Sequence, residues 1–200
     1  GVFLPKVTSM VVTDNNTKEI SDLFIRTGRI QYIILSLILS GFIVFGKQFI
    51  HLWAGPEYNN AYYITLLFFA CMLPDLIQNL GIVIMQARNQ VKFRAILGVI
   101  VAILSLVLQI VLSKYYQEIG CAVAIAIMWF LGQGVIINIY YSKKQSLNIL
   151  AFWREISKMS IVPIIITGIS LLCINSYNID NWIKLFVTII IFCSIYVPLF

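Results

Sequence analysis

The sequence contains few charged residues, and this shortage decides its class. Only 11% of the 200 residues are Asp, Glu, Lys or Arg, while 60% are hydrophobic. Soluble domains carry about 25% charged residues. A soluble globular domain is therefore excluded, and the chain is predicted to lie in a lipid bilayer. The mean hydropathy of +0.94 agrees with this prediction.

Histidine and paired cysteines are also scarce, which excludes most metal and redox chemistry. His51 is the single histidine, so neither a histidine metal site nor a histidine-based triad can be built. Cys71, Cys121, Cys173 and Cys193 lie far apart in apolar runs without a CxxC pair. We interpret them as reduced, buried packing residues. We expect no cofactor, no metal and no enzymatic activity.

The two ends of the sequence lack the features of a complete membrane protein. No cationic start precedes a short apolar core and a cleavage site, so no secretory signal peptide is predicted. The sequence begins at Gly1 within what resembles the end of a helix, and it stops at Phe200 within an apolar run. We therefore expect a fragment of a longer polytopic protein.

What the sequence has is a series of apolar stretches separated by positive charges. A membrane-spanning helix needs about 20 apolar residues. Five complete spans, a sixth cut by the C-terminus and the tail of an earlier one at 1–5 are predicted, the six being 30–46, 58–87, 95–113, 119–142, 159–179 and 185–200. The predicted fold class is all-α, a polytopic membrane helical bundle.

Positive charge alternates between successive connections, which predicts the orientation. Eleven of the 14 Lys and Arg residues lie before residue 30 and in the connections near residues 90 and 150. Cytoplasmic loops hold the excess of Lys and Arg, so these connections are predicted to be cytoplasmic. The net charge of +6 then favours anionic lipids rather than nucleic acid. Segment 143–158 is predicted to be an amphipathic helix along the inner leaflet, between spans within 1–142 and two trailing spans within 159–200.

Span 58–87 carries an acid and a proline at its centre. On an unbroken helix, Asp75, Gln78, Asn79 and Gln86 share a wedge about 100° wide. The opposite stripe, predicted to face lipid, consists of Leu66, Leu73, Ile77, Leu80 and Ile84. An aspartate at the centre of a membrane helix costs about 2.5–3.5 kcal/mol. The wedge should therefore face the bundle interior or a wet cavity.

Two interpretations of this wedge stay open. It is either a structural hydrogen-bond stripe between helices or a cavity wall in which Asp75 acts as a coupling or substrate-orienting acid. No Lys or Arg precedes Arg88 in this span, so a cationic partner for Asp75 would have to come from another helix. Pro74 removes a backbone hydrogen bond and predicts either a static kink or a hinge.

Four segments resemble a known family. VFLPKVT (2–8), TGRIQ (27–31), FGKQFIHLWAGPEY (45–58) and IQNLGIVIMQARN (77–89) resemble the polysaccharide-biosynthesis proteins. These are the O-antigen and capsule repeat-unit flippases of the MOP superfamily, which also contains the MATE drug exporters and the lipid II flippase. The resemblance implies a MATE/MOP-like fold, of which this chain would be the C-terminal portion.

The resemblance also implies a function. Two bundles would rock around a central cavity in a bacterial cytoplasmic membrane, moving an undecaprenyl-diphosphate-linked oligosaccharide from the inner to the outer leaflet. H⁺ or Na⁺ is the expected coupling ion. The diphosphate would meet cations at the cytoplasmic mouth, with Arg favouring bidentate contacts. The candidates, which the positive-inside rule alone also explains, are Arg26, Arg29, Arg88, Lys92 and Arg94.

Two alternatives remain. A MATE-type cation-coupled exporter would use the same bundle and an intramembrane acid. A membrane glycan polymerase or ligase would need a sizeable outer loop with Arg or His, whereas the outer connections here are short and contain one His. None of the predicted spans carries a basic residue near its centre. Any basic residue inside a central cavity would therefore have to come from the N-terminal bundle.

Overall fold

The computed structural model describes residues 7–10, 17–174 and 181–199, which are helical apart from short connections and contain no strand. This confirms the all-α prediction for the described part of the chain. The α-helices of seven or more residues are α1 Thr17–Ala54, α2 Asn59–Ile77, α3 Asn79–Ala87, α4 Val91–Trp129, α5 Ile137–Lys143, α6 Ile149–Met159, α7 Ile161–Ile174 and α8 Trp182–Tyr196.

Four helical stretches are long and apolar enough to cross a membrane. They are Thr17–Ala54, Pro56–Ala87, Val91–Lys143 and Ile149–Ile174. Helix α8 is apolar but shorter. These stretches support a membrane-embedded helical protein. The end of the predicted span 159–179 lies outside the described residues.

The stretch Val91–Lys143 folds back on itself at Gln117. The backbone of Gln117 is not helical, with φ 50° and ψ −127°. A Cβ on Gly120 would touch the carbonyl of Leu112, and a Cβ on Gly132 would lie 2.5 Å from Val101. On a straight helix the two members of each pair would be about 12 Å and 46 Å apart. Both pairs are centred near Gln117, so the stretch forms a hairpin of two helices, as spans 95–113 and 119–142 predict.

The connections collect at two ends of the helices. At one end, Asn60 Nδ2 donates to Glu118 Oε1 over 3.2 Å. At the other, Arg88 Nη1 donates to the backbone oxygen of Gln145 over 2.8 Å. The second end, called the basic end below, joins the connections near residues 90 and 145, as the charge pattern predicts. Which side of the membrane it faces stays a prediction.

Two clusters of buried side chains hold these helices together. The first core lies at the basic end and contains residues from each of the six helices α1 through α6. Its members are Val7, Ile20, Phe24, Tyr32, Ile77, Leu80, Ile84, Met85, Leu97, Val101, Ile137, Tyr141, Leu147, Phe152 and Ile156. The second core joins α1 to α7 and α8 and consists of Val44, Phe45, Ile166, Leu185, Phe192 and Tyr196.

Segment 143–158 packs against protein more than the amphipathic prediction implies. Asn148 accepts from the Ala151 N–H and caps the start of α6. Phe152 and Ile156 are buried in the first core. Leu150 is the large apolar side chain of α6 that stays most exposed. The apolar face of this helix is therefore mainly a packing surface for the bundle.

The cysteines are free, as predicted, but none is fully buried. Cys71, Cys121 and Cys193 are half-buried, and Cys173 is exposed. The prediction of buried packing residues is wrong because an apolar run that faces lipid looks like one that faces a core.

Candidate functional site

The second membrane stretch is broken in its middle. Helix α2 ends at Ile77 and α3 begins at Asn79, with Gln78 between them at φ −103° and ψ 15°. The chain stays helical through Pro74, and the interruption follows four residues later. The irregular backbone therefore lies at Gln78 and not at Pro74, for which a static kink or a hinge is predicted. The Gly81 N–H donates to the Gln78 carbonyl over 2.8 Å, which tightens the turn.

A side chain from α1 satisfies the carbonyls that this break exposes. The end of a helix leaves carbonyl groups without partners, and inside a bilayer each such group is costly. When the side-chain amide of Gln31 is assigned with its nitrogen toward the break, the orientation that satisfies both its oxygen and its nitrogen, it donates to the carbonyls of Ile77 at 3.1 Å and Leu76 at 3.3 Å. Helix α1 therefore stabilises the interruption directly.

An ion pair lies beside the break. Arg94 Nη2, from the first turn of α4, lies 2.8 Å from Asp75 Oδ1 on α2. The two side chains are 17% and 19% exposed, so most of each charge is removed from the surface. Pairing offsets the desolvation of the carboxylate. The cationic partner of Asp75 thus comes from another helix, and Arg94 is a basic residue that reaches inward rather than a residue of the mouth.

A buried tyrosine adjoins the ion pair. The Tyr141 hydroxyl lies close enough to Arg94 and Asp75 to interact with both charges. It makes no hydrogen bond of ordinary distance and angle with either side chain. Gly81 makes room for the ring, since a Cβ there would lie 2.5 Å from Tyr141 Oη and 2.7 Å from Cε2. Carboxylate, guanidinium and phenol thus form one group, called the polar centre below.

A chain of amides connects the break to α6. Gln78 Nε2 donates to Asn138 Oδ1 over 2.7 Å, and Trp153 Nε1 donates to the same oxygen over 3.1 Å. Asn138 Nδ2 donates to the Gly134 carbonyl. Gly134 lies in Phe130–Ile136, a wider helical segment in which the Ile137 N–H reaches back to Gly132. Two irregular helices therefore meet through Asn138.

The break at Gln78 separates the residues of the predicted polar wedge. Gln78 is 2% exposed, whereas Asn79 and Gln86 are exposed. The predicted lipid-facing stripe is wrong in part, because Ile77, Leu80 and Ile84 belong to the first core. A helical wheel assumes 100° per residue along the whole span, and the turn at Gln78 changes that phase. Of the four cavity candidates, Asp75 belongs to the polar centre and Gln78 forms the break three residues further along the chain.

The five basic candidates fall into different environments. Arg94 pairs with Asp75, and Arg88 donates to the backbone and side-chain oxygens of Gln145 at 2.8 and 2.9 Å. Burial lowers the pKa of the Arg88 guanidinium, which still remains charged at neutral pH. Arg26, Arg29 and Lys92 are exposed at the basic end. Their predicted phosphate contacts stay predictions.

The described residues form a helical bundle whose long helices are apolar enough to cross a membrane, with a broken helix beside a partly buried ion pair. Within the described residues, no group of three or more His, Cys, Asp or Glu side chains could hold a metal ion. Comparison of the chain with protein-family models, curated proteins and solved structures finds no match.

Proposed function

We propose that this protein is a membrane transporter that moves undecaprenyl-diphosphate-linked oligosaccharide units from the inner to the outer leaflet, by alternating access, for O-antigen or capsular polysaccharide biosynthesis. The observation that carries the proposal is the Asp75–Arg94 pair at the broken helix. Ionisable residues inside membrane spans mark substrate and ion pathways. Interrupted helices form the substrate sites of many transporters.

The charge of the polar centre favours a glycan over a cationic drug. A site that binds organic cations needs an acid without a counter-ion. Here Arg94 neutralises Asp75 at 2.8 Å, and the neighbouring groups are amides, an indole and a phenol. Such groups donate and accept hydrogen bonds as sugar hydroxyls require. Together with the four resembling segments, these groups favour the flippase over the MATE-type exporter.

The amide chain offers a route for conformational change. A transporter needs an element with two arrangements, and the break at Gln78 has fewer backbone hydrogen bonds to lose than a regular helix. Gln78 binds Asn138, and Asn138 binds Trp153 of α6. A rotation at the break would therefore be transmitted to α6 at the basic end. In this function Asp75 and Arg94 orient the substrate or exchange partners during the cycle.

Gene deletion in the native cells tests the proposal. Loss of a flippase should abolish the surface polysaccharide and make lipid-linked repeat units accumulate in the inner leaflet, measured by glycan immunoblot and by lipid extraction with mass spectrometry. Unchanged surface glycan, together with increased sensitivity to cationic dyes, would instead identify an exporter. Loss of long chains without accumulation at the inner leaflet would identify a polymerase or ligase.

A further inference from the structure

A second polar feature lies on the outside of α1, away from the polar centre. A groove of about 550 Å³ opens at the basic end between the first turns of α1 and the end of α6. Arg26, Arg29 and Asp22 carry the charged groups of its lining. Ile30, Ile33 and Met159 contribute apolar surface to it. The groove thus combines charges with an apolar floor, as an amphiphilic ligand requires.

The arginines of this groove are only weakly engaged by the protein. The ion pairs found among the described residues give Arg26 no carboxylate partner. Arg29 Nη1 lies 3.8 Å from Glu155 Oε2, and half of its side chain is exposed. The carboxylates of Asp22 and Glu155 lie near three cations, Arg26, Arg29 and Lys158, the last 3.0 Å from Glu155, so the groove and its surroundings carry a net charge of one positive unit. That charge matches a phosphodiester monoanion, and Arg binds phosphate oxygens in bidentate fashion.

An exposed isoleucine stripe continues from the arginines along α1. Ile30, Ile34 and Ile38 are 55%, 57% and 49% exposed and follow Arg26 at four-residue spacing. Residues four apart lie on the same side of a helix, and 12 residues advance about 18 Å. That length compares with half of a hydrocarbon core of about 30 Å. The stripe is therefore suited to one acyl chain of one leaflet.

We propose that this groove binds a glycerophospholipid with an anionic headgroup. The phosphodiester lies between Arg26 and Arg29, and an acyl chain follows Ile30, Ile34 and Ile38. A polyprenyl diphosphate fits less well because it carries more negative charge than the lining neutralises. This assignment does not depend on what the protein transports, and it separates Arg26 and Arg29 from the diphosphate of the proposed substrate.

Native mass spectrometry of the full-length protein, purified in mild detergent, tests this site. The protein is supplied in turn with phosphatidylglycerol, phosphatidylcholine, undecaprenyl diphosphate and inorganic phosphate, and the retained ligand is counted. We expect preferential retention of phosphatidylglycerol, reduced at least fivefold in the R26Q/R29Q variant. The matched control, K143Q/K144Q, removes two exposed positive charges at the same end and should retain as much as the wild type. Variant I34N should also lose phosphatidylglycerol while keeping both arginines.

Four outcomes would overturn the proposal. An equal loss in K143Q/K144Q would show attraction to the general charge of the basic end. Stronger retention of undecaprenyl diphosphate would assign the groove to the substrate. Equal retention by I34N would show that no acyl chain lies along the isoleucine stripe. Binding of inorganic phosphate in place of the lipid would show a site for phosphate alone. Size-exclusion elution of each variant shows that a change in binding is not a failure to fold.

Discussion

The interruptions at Gln78 and Gln117 break apolar stretches in opposite surroundings. Gln78 is 2% exposed, and Gln31 and Asn138 provide hydrogen-bond partners for the break and for its amide. Gln117 is exposed, in a connection between two helices. Water can satisfy the backbone at Gln117, whereas the backbone at Gln78 depends on protein side chains.

This difference separates a topological feature from a candidate functional one. A turn at the surface needs only a chain that can reverse. A turn inside the bundle requires several polar residues from different helices, and each must be placed correctly. The break at Gln78 collects such residues from α1, α2, α4 and α5, and the break at Gln117 does not.

The first test removes one member of the ion pair. Arg94→Gln leaves the Asp75 carboxylate without its partner in a site where each side chain is less than one-fifth exposed. Breaking a buried pair in this way destabilises by about 3 kcal/mol, which corresponds to roughly 6–12 °C in apparent Tm at about 2–4 °C per kcal/mol. Thermal unfolding of the purified protein measures this. The exposed acid variant Glu57→Gln is the control and should unfold like the wild type.

The double variant D75N/R94Q separates the structural from the functional interpretation. It removes both charges, so most of the lost stability should return. If Asp75 takes part in transport, surface polysaccharide stays absent in cells carrying the double variant although the protein is stable. Restored glycan would show that the pair is only structural. Asp75→Asn alone is expected to insert normally and to lose transport.

The sequence predicts the helices better than it predicts the site. Charge alternation correctly predicts a hairpin near residue 117 and groups the connections at two ends of the helices. Both features follow from the lengths of the apolar stretches. The partner of Asp75 could not be predicted, since Arg94 becomes its neighbour only when α2 packs against α4. The position of Arg94 in the basic connection near residue 90 predicted a cation at the cytoplasmic mouth instead.

The contribution of Gln31 and Trp153 was also missed, although each carries a signal. Gln31 is a polar residue at the start of an apolar span, and Trp153 lies on the apolar side of an amphipathic segment. Neither pattern predicts which group the side chain would bind. Gln31 acquires its role only because the backbone breaks at Gln78, four residues after Pro74. Helical periodicity cannot locate such a break, so the predicted wedge combined residues that the fold separates.

The second test fills the space beside the polar centre. Gly81→Ala would place a Cβ 2.5 Å from Tyr141 Oη, so the ring must move, at a cost of about 1–3 kcal/mol. The matched control is Gly98→Ala, where no atom lies within 4 Å of the new Cβ and alanine favours the helix. Apparent Tm should fall for Gly81→Ala and stay the same or rise for Gly98→Ala. Equal values would mean that the ring does not rest on Gly81.

The third test removes the side chain that satisfies the break. Gln31→Leu leaves the Leu76 and Ile77 carbonyls without their donor, and we expect a loss of about 1–2 kcal/mol. Gln86→Leu makes the same chemical change at an exposed position and should not lower the apparent Tm. A similar loss in both variants would point to a general effect of the substitution and not to the break.

The smallest effect is expected at the exposed break and has the opposite sign. Gln117 has φ 50°, which favours glycine, so Gln117→Gly should raise stability by at most about 0.5–1 kcal/mol and leave surface polysaccharide unchanged. Gln78→Gly gains no such relief, because φ at Gln78 is −103°, and it loses the hydrogen bond to Asn138. It should therefore lower both the apparent Tm and the surface glycan. If both glycine variants behave alike in thermal unfolding and in the glycan immunoblot, the two interruptions do not differ as their surroundings imply.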